Sequence, residues 1–336
     1  MTLLEQPLAP SAEWADVTRD ESSLKRFLHG LPGVDQVGAN ARCAALATRS
    51  IKTTAKAWAI DTAISMVDLT TLEGNDTHGK VASLCARAAN PDPTGPWPGD
   101  QPPPRVAAVC VYPDLVETAV QRLQGTGVKV AAVATAFPSG RASLDVKISD
   151  TQDAVEAGAD EIDMVIDRGA FLSGRYGQVF DEIVAIREAC GAAHLKVILE
   201  TGELVTLDNV RRASWLALLA GGHVIKTSTG KVSPAATPPV ALTMLQAVRD
   251  FAGGGHGRSA AASGGSDIRG VKLAGGIRTT KDALKYLVIV NEVAGPEWLH
   301  PDQFRFGASS LLDDLVLQRH KLATGAYDSA RYVSND

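Results

Sequence analysis

Several features that would place the chain in a common protein class are missing from its 336 residues. No run approaches the roughly 20 consecutive apolar residues that a transmembrane helix requires. The first residues, MTLLEQPLAPSAEWADVTRDE, are acidic and lack the basic-then-apolar order of a secretory signal. The net charge is -5, without the basic stripe that is typical of nucleic-acid-binding proteins. The sequence therefore predicts no membrane anchor, no secretion and no nucleic-acid partner.

Metal and disulfide motifs are also missing. Cys43, Cys85, Cys110 and Cys190 are scattered without a Cys-x-x-Cys pair, and the seven histidines show no His-Glu-x-x-His spacing. Neither a disulfide framework nor a zinc site is expected from such spacing. The simplest interpretation is a cytoplasmic protein with reduced thiols.

The chain does contain a repeated order of a short Val/Ile/Ala-rich run, a polar turn and a helical pattern. In the helical stretch Gln178–Cys190, Val179, Ile183 and Ile186 fall on one face. Strands that alternate with helices indicate parallel β-α-β units, and eight units predict a (β/α)8 TIM barrel of roughly 250 residues. A doubly wound open sheet is the alternative, but no Gly-x-Gly-x-x-Gly follows the first strand. The predicted strands are Ser65–Leu69, Val106–Val111, Lys129–Thr135, Glu161–Ile166, Leu195–Leu199, His223–Lys226, Gly270–Leu273 and Phe304–Gly307.

Helical patterns also precede the barrel, at Glu21–Leu28, Ala39–Ala47 and Thr53–Ala59. They predict a helical layer packed over the bottom or side of the barrel rather than a separate functional domain. The predicted organisation is an N-terminal helical extension at 1–60, the barrel at 61–320 and a C-terminal tail at 321–336.

Two insertions interrupt the repeated order. Residues 90–105 are rich in proline, and residues 253–270 are rich in glycine and serine. Both compositions are typical of mobile loops. Since each insertion precedes a strand, we expect both at the face opposite the one where barrel enzymes build their active sites.

Reactive side chains stand at the ends of predicted strands. Lys226 ends strand six and Lys272 lies near the end of strand seven. The carboxyl ends of neighbouring barrel strands meet, so the two lysines should be adjacent. Two ammonium groups in one poorly solvated pocket repel each other, and one should lose its proton more easily than a free lysine. An uncharged lysine attacks carbonyl carbons, which is the first step of Schiff-base chemistry.

Each of these groups also has a plainer interpretation. A strand-end lysine can simply reach solvent. Asp163 shares a strand face with Glu161, and it could relay protons or form a structural salt bridge with a lysine. Asp68 could orient other groups, and Cys110 could be ordinary core packing.

Glycines and serines follow strands seven and eight, where barrels often bind phosphate with backbone N–H groups and a helix N-terminus. Gly275 and Gly276 follow strand seven, and Ser309 and Ser310 follow strand eight. We expect Ser309 to cap a short helix through Asp314. Ordinary turns are the alternative interpretation, and the coincidence of positions favours a phosphate site.

Taken together, these segments resemble the deoxyribose-phosphate aldolase family of class I aldolases, in its longer form with an N-terminal extension. The matching segments follow the order of the family from about residue 67 to residue 312, and KTSTGKV combined with a later KxAGG is specific. The matching segments are VDLTTL (67–72), AAVCVYP (107–113), FPSG (137–140), GADEIDMVI (158–166), KVILETGEL (196–204), VIKTSTGKV (224–232), VKLAGGIRT (271–279) and FRFGASSLL (304–312).

The resemblance implies a role for each matching residue. Lys226 matches the Schiff-base lysine, Lys272 the lysine that lowers its pKa, and Asp163 the carboxylate of a proton relay. The implied reaction is the reversible cleavage of 2-deoxy-D-ribose 5-phosphate to acetaldehyde and D-glyceraldehyde 3-phosphate, without a metal or other cofactor. The implied substrate-binding residues are Asp68, Thr70, Leu72, Cys110, Phe137 and Thr229 around the pocket, with Lys231, Gly275, Gly276, Ser309 and Ser310 around the phosphate.

Three points concern how this chain compares with the pattern of the family. Leu273 stands where proline is common, a change that should only adjust the backbone. Some members carry a tail tyrosine that aids proton transfer, and either Tyr327 or Tyr332 could correspond to it. Family members often form dimers, which makes a homodimer a candidate assembly, but the sequence itself does not give the oligomeric state. Two rival functions remain. One is an isomerase or epimerase that uses Asp163 as a base, and the other is a binding protein without catalysis.

Overall fold

Eight parallel strands closed into a barrel form the centre of the structure. The computed structural model describes residues 12–252 and 269–326. Each strand pairs with the next one along the chain, and the eighth pairs with the first. The (β/α)8 TIM barrel predicted from the sequence is therefore confirmed. The strands are β1 (Val67–Thr70), β2 (Ala108–Val111), β3 (Lys129–Val133), β4 (Glu161–Val165), β5 (His194–Ile198), β6 (Val224–Lys226), β7 (Gly270–Ala274) and β8 (Phe304–Ala308).

Helices surround this barrel and also precede it. Several begin at a side-chain cap: Thr206 accepts a hydrogen bond from the N–H of Asn209, and Thr279 accepts one from the N–H of Asp282. No helix in the two described ranges is long and apolar enough to cross a membrane. The α-helices are α1 (Ala12–Thr18), α2 (Glu21–Gly30), α3 (Gln36–Ala47), α4 (Thr53–Ser65), α5 (His78–Ala89), α6 (Val116–Leu123), α7 (Leu144–Glu156), α8 (Arg168–Leu172), α9 (Tyr176–Ala189), α10 (Leu207–Leu219), α11 (Pro238–Phe251), α12 (Thr280–Val293) and α13 (Leu311–Thr324).

The predicted strands differ from the observed ones by at most two residues at either end. The start predicted for β1 was wrong, because Ser65 is the last residue of α4 and its hydroxyl bonds back to the Thr62 carbonyl. An apolar run that crosses a helix end and a strand start has no break in composition to mark the boundary.

Strand alternation divides the sheet residues between two environments. On β4, Ile162 and Met164 belong to the main apolar core between sheet and helices. Glu161 and Asp163 alternate with them and are buried inside the barrel. The prediction that these two carboxylates share one face is confirmed, and the interior of the barrel is charged rather than apolar.

The N-terminal helices pack on the side of the barrel. Helix α2 packs against α9 and α10, and α3 packs against α11 and α12. The Asp208 carboxylate at the start of α10 accepts a hydrogen bond from the N–H of Val34, 2.7 Å away. Leu24 and Leu28 of α2 lie in the same apolar core as the barrel strands. Of the two alternatives in the sequence prediction, the side of the barrel is the one that these helices cover.

The two insertions differ in how much of each is described. Residues 253–268 lie outside the described ranges. The proline-rich segment is fastened to the rest of the chain: Asp92 is buried and bonds His320 of α13, and Arg319 donates to the Gln101 carbonyl. Its proline-rich composition therefore does not leave it detached from the barrel.

We expect Leu28→Ala to lower the free energy of unfolding by about 2–5 kcal/mol, because Leu28 is fully buried in the shared core. Val37→Ala, on the exposed side of α3, is the control and should change it by less than about 0.5 kcal/mol. Urea unfolding followed by circular dichroism measures both. Equal, small effects would show that α2 contributes nothing to the stability of the barrel.

Candidate active site

Seven charged side chains share the interior of the barrel. They come from six different strands and all point inward, because each occupies the inward position of the strand alternation. None exposes more than 5% of its surface, so nearly all of their charge is removed from water. The seven are the carboxylates Asp68, Glu161 and Asp163 and the cations Lys196, Lys226, Lys272 and Arg305.

Asp163 is the centre of this network. Its Oδ2 accepts hydrogen bonds from Nζ of Lys226 at 2.8 Å and Nζ of Lys272 at 2.9 Å. Its Oδ1 accepts one from Nζ of Lys196, also at 2.9 Å. Lys226 and Lys272 are direct partners in the register of β6 and β7. The predicted adjacency of the two lysines is therefore confirmed, and one carboxylate joins them.

A second set of ion pairs lies on the amino-terminal side of Asp163. Asp68 lies 2.6 Å from Lys272 Nζ and 2.6 Å from a guanidinium nitrogen of Arg305. Glu161 lies 3.1 Å from the other terminal nitrogen of Arg305 and 2.5 Å from Lys196 Nζ. Arg305 thus bridges two carboxylates, and every carboxylate contacts at least two cations. Asp68, predicted to line the substrate pocket, is fully buried as a partner of Lys272.

All three carboxylates stay ionised. Burial alone would raise the pKa of Asp163, but the charges of Lys196, Lys226 and Lys272 outweigh it and hold that pKa well below its usual range. Burial is likewise outweighed at Asp68, where Lys272 and Arg305 lower the pKa. The pKa of Glu161 is lowered too, because Lys196 and Arg305 overcome its burial.

The two adjacent lysines have opposite pKa shifts. Burial lowers the pKa of Lys226 most, Asp163 opposes that effect and the charge of Lys272 adds to it. For Lys272 burial is outweighed by Asp163 and Asp68, which raise its pKa. Of the two lysines, Lys226 is thus the one that loses its proton more easily. The repulsion predicted from the sequence contributes, but burial is the larger cause.

An apolar wall lies beside these charges. Leu72, Cys110, Ala131 and Val133 form a small buried cluster that is separate from the main core, and Phe137 and Tyr112 pack against it. Leu72, Cys110 and Phe137 were predicted to line the pocket, and the structure brings them together. Burial raises the pKa of the Cys110 thiol, so it stays neutral.

The loop after β6 is fixed to its neighbours by buried hydrogen bonds. The hydroxyls of Thr227 and Ser228 donate to the Ala274 carbonyl at 3.0 and 2.7 Å. The Thr229 hydroxyl donates to the Glu200 carboxylate at 2.5 Å. Glu200 has a left-handed backbone, with φ of 53°, and is fully buried. Thr229, predicted to bind substrate, therefore holds the loop in place through Glu200.

The residues predicted for phosphate lie in loops after β6, β7 and β8. Gly275 has φ of +84°, and a Cβ there would lie 2.4 Å from the Ala235 Cβ, so a side chain does not fit. The same Cβ would lie 3.5 Å from the Cα of Gly230, the residue before Lys231. Lys231 is one-third exposed and pairs with the exposed Glu73 at 2.8 Å. Gly276 also has positive φ, at +82°, and is open on its Cβ side.

Ser309 and Ser310 are exposed at the start of α13. The cap prediction was wrong in two respects: α13 has 14 residues, and Ser310 rather than Ser309 is the N-cap, without a side-chain cap bond. Both hydroxyls therefore remain available for other partners. Thr70, in the pocket set, donates its hydroxyl to the Asp68 carbonyl at 2.9 Å.

Sequence reasoning missed three members of the site. Lys196 and Arg305 were passed over, although each is a charged residue inside a predicted strand, which is the signal that could have found them. Glu200 was missed because its role depends on a left-handed turn. Tyr327 and Tyr332 lie outside the described residues.

Two cavities lie away from the apolar wall. One of about 690 Å³ is bordered by the junction of α1 and α2 and by the loops after β3 and β4. The other, of about 20 Å³, is at the amino-terminal end of the barrel beside Lys196 and Arg305. That space holds about one water molecule, so the lower end of the charge network is nearly closed to solvent. In the described ranges, no group of His, Cys, Asp and Glu side chains is arranged to hold a metal ion.

Comparisons with known proteins identify the family of the chain. The family profile of DeoC/LacD family aldolases matches residues 62–315. A deoxyribose-phosphate aldolase of Mus musculus is 46% identical over 286 residues, which is 84% of this chain and 87% of the relative. The Homo sapiens relative of that name is 45% identical over 276 residues, which is 81% of this chain and 83% of the relative.

Solved structures share the fold. The tetrameric deoxyribose phosphate aldolase of Aeropyrum pernix superposes with a TM-score of 0.58 at 24% identity, and the match covers 80% of this chain and 93% of that one. Likeness at this identity concerns the fold alone. The family profile extends over most of the chain, and two relatives exceed 40% identity over more than four-fifths of it. The chain belongs to the DeoC/LacD aldolase family.

Proposed function

We propose that the chain is a class I aldolase that reversibly cleaves 2-deoxy-D-ribose 5-phosphate to acetaldehyde and D-glyceraldehyde 3-phosphate, as part of deoxyribonucleoside catabolism. The observation that carries this proposal is Lys226, a buried strand-end lysine whose pKa is lowered and whose Nζ lies 2.8 Å from an ionised carboxylate. The names of the mouse and human relatives support the substrate.

The reaction begins at the neutral amine. Lys226 Nζ attacks the C1 aldehyde of the open-chain sugar, and loss of water gives a protonated imine. Asp163, in contact with Nζ, stabilises that cation electrostatically. The C2–C3 bond then breaks and its electrons move into the imine, giving an enamine. A water molecule held by Asp163 takes the C3 hydroxyl proton, and glyceraldehyde 3-phosphate leaves.

The second half of the reaction regenerates the enzyme. The enamine is protonated at C2, and hydrolysis of the resulting imine releases acetaldehyde and free Lys226. Lys272 remains an ammonium throughout, because Asp68 and Asp163 hold its charge. Its positive charge therefore keeps the pKa of Lys226 lowered after each turnover.

The phosphate is held by the loops after β6, β7 and β8. Lys231 supplies a positive charge. Its ion pair with Glu73 is exposed and therefore weak, so a phosphate dianion can take the place of Glu73 at little cost in free energy. Gly275 and Gly276 allow the backbone to approach the anion, and Ser309 and Ser310 supply hydroxyls. These contacts fix the position of C1 relative to Lys226 Nζ.

A phosphosugar isomerase that uses Asp163 as its base is not favoured. An isomerase of this kind gives no role to Lys226, whose lowered pKa suits an attacking amine. A binding protein without catalysis would gain nothing from a buried lysine with a lowered pKa. Neither rival accounts for the adjacent lysines.

The wider context also belongs to the proposal. Small sugar phosphates and aldehydes are the partners, with no nucleic acid or membrane, and a homodimer is the proposed assembly. Four buried free cysteines are consistent with a cytoplasmic location. The family match at 62–315 supports the division into an extension at 1–60, a barrel at 61–320 and a tail at 321–336. Helices α4 and α13 run across these two boundaries.

Borohydride reduction in the presence of deoxyribose 5-phosphate or acetaldehyde should attach a reduced sugar or two-carbon group to Lys226 and abolish activity. Peptide mass spectrometry locates the adduct, and the Lys226→Met variant should show none. The equally buried Lys147, paired with Glu182, serves as an internal control and should stay unmodified. Normal turnover without any adduct would exclude the Schiff-base mechanism.

Lys272→Leu removes a cation that disfavours the charged form of Lys226, so the pKa of Lys226 should rise. The acidic limb of the kcat/KM profile then moves to higher pH, and kcat/KM at neutral pH falls by at least about tenfold. Lys147→Leu removes a lysine of similar burial outside the barrel and controls for general destabilisation. An unchanged pH profile in Lys272→Leu would contradict the electrostatic role.

Lys231→Gln should raise KM for deoxyribose 5-phosphate by about 10-fold to 100-fold, because one charged hydrogen bond to the phosphate is lost. The much slower cleavage of unphosphorylated 2-deoxyribose should not change. Lys281→Gln, on the exposed first turn of α12, is the control. Steady-state kinetics on both sugars measures the effect, and equal losses on the two would place Lys231 outside the phosphate site.

A further inference from the structure

The interior of the barrel contains one more cation than carboxylate. Three carboxylates face three lysines and one arginine, and all seven are buried. A closed interior cannot hold an uncompensated charge cheaply, because solvation by water is lost there. The arrangement is most stable when one cation gives up its proton.

The fourth cation is Arg305. It belongs to the set of ion pairs on the amino-terminal side of Asp163, which we call the lower layer of the barrel. Its terminal nitrogens contact Asp68 at 2.6 Å and Glu161 at 3.1 Å, and its Nε donates to the Pro301 carbonyl. Arginine does not lose its proton in proteins, so its charge is permanent. It therefore shares Asp68 with Lys272 and Glu161 with Lys196, and its charge offsets part of the negative charge that these carboxylates present to the lysines.

The three lysines differ in the number of carboxylates that each one contacts. Lys196 contacts Glu161, Asp163 and Asp68 at 2.5, 2.9 and 3.7 Å. Lys272 contacts Asp68 and Asp163. Lys226 contacts Asp163 alone. It has the fewest carboxylate partners of the four cations, and it is the member that the excess charge deprotonates.

We propose that Arg305 and Glu161 are positioning residues that set the protonation of Lys226 from the lower layer of the barrel. Arg305 creates the excess of one cation, and Glu161 limits that excess to one. This rests on the proposed function only in taking Lys226 as the nucleophile, since the charge balance itself does not depend on a substrate.

The titratable groups around Lys226 come from six strands. Asp163 on β4, Lys272 on β7 and Cys110, whose thiol is neutral, on β2 act on Lys226 most strongly. Glu161, also on β4, acts through the charge network rather than by contact with Lys226. Asp68 on β1, Lys196 on β5 and Arg305 on β8 complete the set. Changing the charge of Arg305 or of Glu161 leaves the contact between Lys226 and Asp163 in place. Such changes also remove hydrogen bonds that Arg305 and Glu161 make to other members of the network, so a variant that retains the charge is needed to separate the two effects.

The two single variants should move Lys226 in opposite directions. Arg305→Gln leaves three cations against three carboxylates, so Lys226 should retain its proton to higher pH and its neutral fraction at neutral pH should fall about tenfold. Glu161→Gln leaves four cations against two carboxylates, so Lys226 should lose its proton at lower pH. The double variant leaves three against two, restores the excess of one and should titrate close to the parent protein.

Carbon-13 NMR of lysine labelled at Cε reports the titration of Lys226 without substrate. The Lys226 resonance is assigned by its loss in Lys226→Met. Arg305→Lys retains the charge and should titrate like the parent, which separates a charge effect from loss of the guanidinium bonds. Measuring kcat/KM against pH in parallel should show the acidic limb move to higher pH in Arg305→Gln and to lower pH in Glu161→Gln.

Two matched controls remove similarly buried groups outside the barrel interior. Arg319→Gln breaks the Arg319–Asp61 pair, and Glu182→Gln weakens the Lys147–Glu182 pair. Both should leave the Lys226 titration unchanged while lowering stability to a similar extent.

An unshifted Lys226 titration in Arg305→Gln, shifts of the same sign in the two single variants, or a double variant that is not restored would overturn the inference. If Arg305→Gln does not fold, the Glu161→Gln and Arg305→Lys titrations decide it by the same signs. The expected titrations with no cleavage of deoxyribose 5-phosphate would overturn the proposed function and leave the charge balance standing.

Discussion

The burial of an odd number of charges inside a closed barrel is the constraint on which the site depends. Three carboxylates and four cations lie in a space where water cannot compensate them. Asp163 bonds three lysines at once, and its charge stabilises each of them. The lowered pKa of Lys226 thus reflects its burial together with the charges of Asp163 and Lys272.

The rest of the fold supplies the conditions for that balance. Strand alternation sends Ile162 and Met164 outward into the apolar layer and leaves Glu161 and Asp163 inside. The outer helices, including α2 and α3 of the N-terminal extension, seal that layer. Closure of the barrel by pairing of β1 with β8 brings Arg305 within 2.6 Å of Asp68.

The loops at the carboxyl ends of β5 and β6 are held by backbone geometry as much as by charge. Glu200, in a left-handed conformation, receives the Thr229 hydroxyl, and Thr227 and Ser228 bond the carbonyl at the end of β7. These bonds fix the loop that carries Lys231 before any ligand arrives. The loop after β6 is therefore fixed in its backbone, while the Lys231 side chain at its end is one-third exposed.

The sequence by itself determined the fold, the order of the eight strands and the adjacency of Lys226 and Lys272. Period-two alternation and strand-end placement are local signals, and they are sufficient for residues that end neighbouring strands. The start of β1 was misplaced because Ser65 lies in an apolar run shared by a helix and a strand.

Only the tertiary structure decided the charge balance. Lys196 and Arg305 are ordinary strand residues until closure and register bring them against Asp68 and Glu161. Register between strands and the depth of burial depend on contacts between residues that lie from 33 positions apart, as for Lys196 and Asp163, to 237 positions apart, as for Arg305 and Asp68. No local pattern in the sequence contains them, so the sequence could name a reactive lysine but not the reason that it is the one to lose its proton.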